Sequence, residues 1–368
     1  MTDRYSNRQG VNREQSTPPR RLLVTGGAGF TGSNFVRYWC HNYPADRVVV
    51  LDALTYAGNQ RNLKAVERRP NFRFVPGDIC DRTLVEALIK AEGIDTVVHL
   101  AAESNVDRSV LRPVAFVRTN VLGTSILLDA FREHWKLRGC PESDRFLQVS
   151  TDEVYGGNLN FEDPSFTETT PYAPNSPYSA SKAGADLLVR AYHQTYNLPT
   201  LITHCSNNYG PYQYPEKLIP LMCIHMLMGK RLPVEGDGKN VRDWIYIDDH
   251  CQALDLVLRQ GLPGESYNIG GNNQVKNIDL VYILCQLMDE LAPNLPVNPC
   301  KDLINFVKEK PGHDRRYSLD TNKIKTELGW TPQVTLEEGL RLTVQWYLNN
   351  RKWWENQLSE EYKGQERY

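Results

Sequence analysis

Apolar and polar positions along this chain follow two alternating rhythms. Short aliphatic or β-branched runs, Arg21–Thr25, Arg47–Leu51, Phe72–Val75, Thr96–Leu100, Arg145–Val149 and Pro199–His204, read as buried parallel strands. Between them lie helical patterns at Ser33–Asn42, Arg82–Ala91, Pro113–His134 and Tyr178–Tyr196. This alternation predicts an α/β class with a doubly wound, parallel, Rossmann-type sheet. Past His204 the pattern changes. Cys205–Pro215 is polar, aromatic and turn-rich, and reads as a binding loop. An apolar helix to Met228, a turn at Gly236–Asn240, a strand at Ser266–Ile269 and a Trp-bearing helix at Leu336–Trp354 follow. We expect residues 21–205 with 243–272 to form the first domain, and 206–242 with 273–368 a smaller C-terminal lobe. Residues 1–20, polar and with a Pro18-Pro19 pair, read as a disordered tail.

Composition removes several classes of function. The 368 residues carry a formal net charge of −2, with no basic patch for nucleic acid and no membrane-surface stripe. No apolar run is expected to approach bilayer length, and the N-terminus lacks a signal-peptide core. The eight cysteines are widely spread without a C-x-x-C pair, which predicts reduced thiols and a cytoplasmic protein. The eight histidines lack zinc-ligand spacing, so no metal is expected.

Chemistry concentrates at strand ends. Arg21–Thr25 runs into Gly26-Gly-Ala-Gly29-Phe30-Thr31-Gly32 and then a helix. Glycines there permit a tight turn and the approach of a pyrophosphate to the helix N-terminus. The next strand ends in Asp52, an acid suited to ribose hydroxyls and repulsive to a 2′-phosphate, so the cofactor expected is NAD. Further along, Ser150-Thr151-Asp152-Glu153-Val-Tyr-Gly156 leaves a strand with a hydroxyl and two carboxylates side by side. Tyr178 and Lys182 stand four apart, so one helical turn puts them on one face. A free tyrosine titrates near ~10, and an adjacent ammonium favours its phenolate.

The motifs Thr25–Gly32, Asp78, His99-Leu-Ala-Ala-Glu-Ser104, Ser150–Gly156 and Tyr178-x-x-x-Lys182 together resemble the extended short-chain dehydrogenase/reductases. Asp152-Glu153 beside Thr151 narrows the resemblance to the dTDP-glucose 4,6-dehydratases, and Ser206–Pro211, Arg242-Asp-Trp and Pro311–Tyr317 match as well. The resemblance spans nearly everything after residue 20. It implies an NAD-binding first domain and a substrate-binding second lobe. The implied reaction is loss of water across carbons 5 and 6 of a nucleotide hexose, with Tyr178 and Lys182 serving oxidation at carbon 4. Thr151 would donate to the reacting oxygen, Glu153 would take the carbon-5 proton, and Asp152 would protonate the leaving hydroxyl. Cofactor contacts are expected at Gly26, Gly29, Phe30, Thr31, Gly32, Asp52, Asp78, Ile79, Leu100, Ala101, Ala102, Thr119, Tyr178 and Lys182. Substrate contacts are expected at Glu103, Ser104, Thr151, Asn207, Lys217, Pro233, Arg242, Asn277 and His313. A homodimer packed through the helices starting near Pro113 and Tyr178 is also implied. The chain departs from the family pattern at Asn105, Glu235 and Lys310. The alternatives are a UDP- or GDP-sugar 4,6-dehydratase, a nucleotide-sugar 4-epimerase, and a non-catalytic NAD-binding sensor.

Overall fold

Each strand expected from an aliphatic run forms, and all join one sheet. The computed structural model describes residues 19–157, 160, 162–309 and 314–365. The expected tail, but for Pro19 and Arg20, lies outside them. The chain divides into two compact units, one taking in everything to Val154 with Ser176–His204 and Cys251–Tyr267, the other Tyr155–Asn175, Cys205–His250 and Asn268–Tyr368. This partition departs from the expected boundaries. Residues 243–250 fall in the second unit because Val241–Tyr246 pairs antiparallel with Gln274–Lys276 and parallel with Asn207–Tyr209.

The seven-stranded sheet runs Ser266–Ile269, Thr200–Cys205, Arg145–Thr151, Thr96–His99, Arg21–Thr25, Arg47–Asp52, Phe72–Pro76 in spatial order. Arg21–Thr25 is parallel to both of its neighbours, Arg47–Asp52 and Thr96–His99. Consecutive strands therefore diverge from Arg21–Thr25 to opposite sides, and such a reversal is where doubly wound sheets bind ligands. Period-two alternation sends Leu23, Val49, Val97 and Phe146 into one core with Val85, Ile89, Leu127, Phe131 and Val189 from the helices. Burying an aliphatic or aromatic side chain of this size contributes about 1.5–3 kcal/mol each, so this layer holds the strand ends in place.

Two helices differ from expectation. Pro113–Leu137 is continuous, but Val117–Gly123 is wound as a π-helix. Such a turn inserts an extra residue and redirects side chains, often at a functional position. The helix is 25 residues long and apolar enough to cross a bilayer, which corrects the expectation that no run approaches that length; half of its most apolar stretch is buried. Its inward residues Leu127 and Phe131 are fully buried in the core, so its apolarity has a packing cause. The helix expected at Leu336–Trp354 is two, Leu336–Asn349 and Arg351–Gln365, broken at Asn350.

In the second unit, Ile304–Val307 also pairs with Leu232–Glu235. The expected loop Cys205–Pro215 contains the short strand Asn207–Tyr209. Tyr209 is fully buried, and Trp244 and Tyr246 meet its ring edge-on, so part of this stretch is core.

Candidate active site

The first unit gathers the glycine turn, the acidic strand end and the Tyr–Lys helix. Gly26 has φ +69°, and a Cβ there would lie 2.6 Å from the Ala101 amide nitrogen. A Cβ at Gly32 would lie 2.2 Å from the Gly26 carbonyl. Both positions require glycine. Gly29 caps the Phe30–Asn42 helix without a side chain, and Ser33 is the first amide bonded back, to Gly29. The amides of Phe30, Thr31 and Gly32 are left without intrahelical acceptors, in a cradle that side chains would fill. That cradle fits a dinucleotide pyrophosphate.

Asp52 is buried at the end of its strand. One oxygen accepts the Ala28 amide at 2.9 Å, the other the Leu54 amide at 2.8 Å. Burial pushes its carboxyl up while the two amides pull it down. Asp52 thus braces the glycine turn, a task the sequence did not disclose, with acceptor capacity left for a ribose. Asp78 is half-exposed and accepts the Cys80 amide. Ile79 packs against Gly123, where a Cβ would approach it to 2.5 Å. Leu100 and Ala101 are bonded to Thr25 through its carbonyl and hydroxyl, while Ala102 and Thr119 are partly buried nearby in sequence to the same elements.

The Arg145–Thr151 strand passes directly into a 3-10 turn, Asp152–Tyr155. The Thr151 hydroxyl donates to an Asp152 oxygen at 3.2 Å and accepts the Glu153 amide at 3.3 Å. Thr151 and Asp152 are buried, and Glu153 is partly exposed. Opposite, the Pro177–Tyr196 helix begins with a capping box between Ser176 and Ser179 and with Pro177 at its first position. Those caps fix the start of the helix one residue before Tyr178. Lys182, one turn on and 5% exposed, donates to the Val149 carbonyl at 2.8 Å. The ammonium is thereby held two residues before Thr151. Phe116 meets the Tyr178 ring edge-on at 6.3 Å.

Two polar networks behind these groups had no clear mark in the sequence. In the first, Asn120 of the π-helical turn exchanges hydrogen bonds with both backbone groups of Glu103 and donates to Ser181, which donates to the Tyr178 carbonyl. The same network reaches His99, fully enclosed between Thr25 (2.7 Å) and Thr124 (2.9 Å). The Thr124 hydroxyl gives its only proton to the Asn120 carbonyl, so it can only accept from His99. His99 therefore carries its hydrogen on Nε2 and accepts the Thr25 hydroxyl at Nδ1. Burial, reinforced by the Lys182 charge, pushes its pKa down to about 3. In the second network, Ser150 donates to Asp186 at 2.5 Å, and His204 lies 3.6 Å from the same oxygen. Asp186 stands four residues after Lys182, so the helix that carries the ammonium also pins the residue before Thr151.

The second unit holds most of the remaining expected contacts. Arg242 is buried on its strand and donates to carbonyls, and no carboxylate pairs with it among the described residues. Its neighbour Asp243 instead accepts the amides of Gly271 and Asn273. Asn207 and Asn277 each bury a side-chain oxygen that finds no partner among the described residues. Such orphans suit a ligand donor. Lys217 is more exposed, 4.0 Å from Glu216, and Pro233 lies partly buried on the Leu232–Glu235 strand. Ser104, in the first unit, is partly buried. His313 lies outside the described residues.

Comparison with known proteins adds to this geometry. The family profile described as GDP-mannose 4,6 dehydratase matches residues 23–343. A dTDP-glucose 4,6-dehydratase from Neisseria meningitidis is 52% identical over 348 residues, 94% of this chain and 98% of that protein. A crystal structure of DesIV, a dTDP-glucose 4,6-dehydratase from Streptomyces venezuelae with NAD and dTDP bound, superposes with a TM-score of 0.83 at 50% identity, covering 92% of this chain and 99% of that one. A UDP-glucose 4-epimerase from Thermus thermophilus, in complex with NAD, reaches 0.77 at 30% identity over 90% of this chain and 99% of that one.

Proposed function

The chain belongs to the GDP-mannose 4,6 dehydratase family, and from that membership and the geometry of its strand ends we propose that it converts dTDP-glucose to the 4-keto-6-deoxy sugar and water, with NAD as its resident cofactor. One observation carries this reading over the epimerase: Thr151 is followed by two carboxylates in one turn, with Asp152 buried and Glu153 partly open. An epimerase needs an acid–base at carbon 4 alone. A dehydratase also needs a base at carbon 5 and an acid at carbon 6.

The residues divide the proton work as follows. The glycine cradle, Asp52 and Leu100–Ala102, just past the Thr96–His99 strand, would hold NAD, which would supply hydride acceptance and return. Lys182 stabilises the Tyr178 phenolate, which takes the proton from the carbon-4 hydroxyl. Thr151 turns its hydroxyl from Asp152 to donate a hydrogen bond to that oxygen. The resulting carbonyl acidifies carbon 5, and Glu153, reachable from solvent, takes that proton as a carboxylate. Asp152, buried beside Thr151, gives a proton to the departing carbon-6 hydroxyl. Arg242 and Lys217 meet the diphosphate by charge. Asn207 and Asn277 offer their orphaned oxygens to the nucleotide sugar.

We further propose a homodimer. Its support is a set of outward apolar residues in the first unit, Val110, Leu111, Val114, Val117, Leu122 and Leu187, each more than half exposed. The eight cysteines are all free thiols, which supports a reducing, cytoplasmic setting. The test is turnover of dTDP-glucose, UDP-glucose and GDP-mannose by the purified protein without added NAD. We expect a 4-keto product and the highest kcat/KM for dTDP-glucose. A higher value for the guanine sugar would overturn the substrate assignment.

A further inference from the structure

The second unit contains a buried cation held in a fixed pose. Arg242 is 8% exposed, yet its hydrogen-bond partners among the described residues are both neutral. One terminal nitrogen donates to its own Val241 carbonyl at 2.8 Å, the other to the Asp314 carbonyl at 2.9 Å. A guanidinium has five N–H donors, and the described residues take up two of them. Taking such a charge out of water is costly unless an anion meets it. This arrangement is that of a cation waiting for an anionic ligand.

An aromatic neighbour adds to these two contacts in fixing its pose. The Tyr317 ring lies beneath the guanidinium, centroid 4.6 Å from the central carbon. The Tyr317 hydroxyl donates to the Asp314 carboxylate, whose other oxygen accepts Asn175 at 3.0 Å. Asp314 in turn supplies the backbone carbonyl that receives Arg242. The loop closes: ring under cation, hydroxyl to carboxylate, carbonyl to cation. Main-chain bonds repeat the constraint, since Val241 donates to the Arg315 carbonyl at 2.9 Å and Tyr317 donates to the Val241 carbonyl at 3.4 Å. Gly157 makes room for the hub, because a Cβ there would fall 2.2 Å from the Asp314 side chain.

We propose that Tyr317 is the positioning residue that preforms Arg242 as an anion clamp, with Asp314 as the post to which both are tied. The proposal rests on the reading of Arg242 as a diphosphate ligand. Ring and hydroxyl contribute separately: the face fixes the guanidinium plane, and the hydroxyl fixes the ring. A guanidinium already held in its bound orientation loses less freedom when the diphosphate arrives. The contribution therefore falls on nucleotide binding and leaves the chemical steps in the first unit alone.

The experiment measures dTDP affinity, KM and kcat on the NAD-loaded protein for Tyr317→Phe, Tyr317→Leu, Arg242→Met and the Tyr317→Leu/Arg242→Met double variant. Tyr317→Leu removes ring and hydroxyl, and we expect dTDP to bind roughly 10-fold more weakly with kcat within about twofold. Tyr317→Phe keeps the ring and should weaken binding only about threefold. Arg242→Met should cost roughly 10- to 100-fold. In that background the added Tyr317→Leu should change almost nothing, because the residue acts through the arginine. If Tyr317→Leu is equally harmful with and without Arg242, or lowers kcat at unchanged affinity, the positioning role is overturned while the diphosphate assignment stands. Unchanged dTDP affinity in Arg242→Met overturns that assignment and this proposal with it. Should Tyr317→Leu fail to fold, the cycle run with Tyr317→Phe decides the matter by the same criterion.

Discussion

Acid should destabilise this protein through His99, and His99→Gln should relieve part of the effect. The neutral ring links Thr25, beside the glycine turn, to Thr124, on the Pro113–Leu137 helix. A second proton would sit on Nδ1, the acceptor of the Thr25 hydroxyl, in a site sealed from water. Its folded pKa is about 3, against ~6.5 when unfolded. The unfolded chain therefore binds more protons between those values. Stability is complete above about pH 6.5 and is lost as pH falls toward 3, with a limiting slope of about 1.4 kcal/mol per pH unit. At about pH 5 the loss from His99 alone is roughly 2 kcal/mol. His250, fully buried in the second unit and also near 3, adds a like term. Asp144, pushed up to about 7 by burial, acts with the opposite sign. Both cancel when wild type is compared with His99→Gln, which keeps one donor and one acceptor. The assay is urea unfolding at a series of pH values from about 7 to 5. The variant should lose stability more slowly, by close to one proton in slope. Identical slopes would mean that His99 is not enclosed as a neutral ring.

Other variants probe the site. Tyr178→Phe should abolish turnover while the purified protein retains its NAD, since the phenolate is lost and the glycine cradle is not; cofactor content and product formation check this. Glu153→Gln should nearly stop exchange of the carbon-5 hydrogen with deuterated water, whereas Asp152→Asn should slow elimination and recover with a better leaving group at carbon 6. Equal recovery of both would defeat the division of roles. Gly26→Ala should strip NAD and lower the melting temperature, because φ +69° and the 2.6 Å approach to the Ala101 amide leave no room for a methyl group; a variant that keeps a full complement of NAD would contradict the cradle.

Much of the first unit was legible in the sequence because its signals are local. Aliphatic runs ending in Gly, Asp or Thr fix strands by burial and put chemistry at their ends, and Tyr178 and Lys182 meet by helical spacing alone. The features that escaped depend on contacts distant in sequence. Asn120 acts from a π-helical turn that periodicity cannot show. Asp186 finds Ser150 across 36 positions, and His99 is defined by two threonines that sit 25 and 74 positions away. Asp52 showed itself as an acid at a strand end, but its bracing of Ala28 needed the folded turn. In the second unit, adjacent opposite charges such as Arg242 and Asp243 invite an ion pair. The fold instead buries both on one strand, where successive side chains point to opposite faces.

The most direct test of the proposed reaction follows the hydrogen on carbon 4. With dTDP-glucose deuterated at that carbon, and no NAD added, the expected result is a 4-keto-6-deoxy product whose deuterium sits on carbon 6. Deuterium retained at carbon 4 would mean that no oxidation occurs there. Deuterium lost to solvent would mean that carbons 4 and 6 are not served by one enclosed cofactor, and either result would contradict the proposed function.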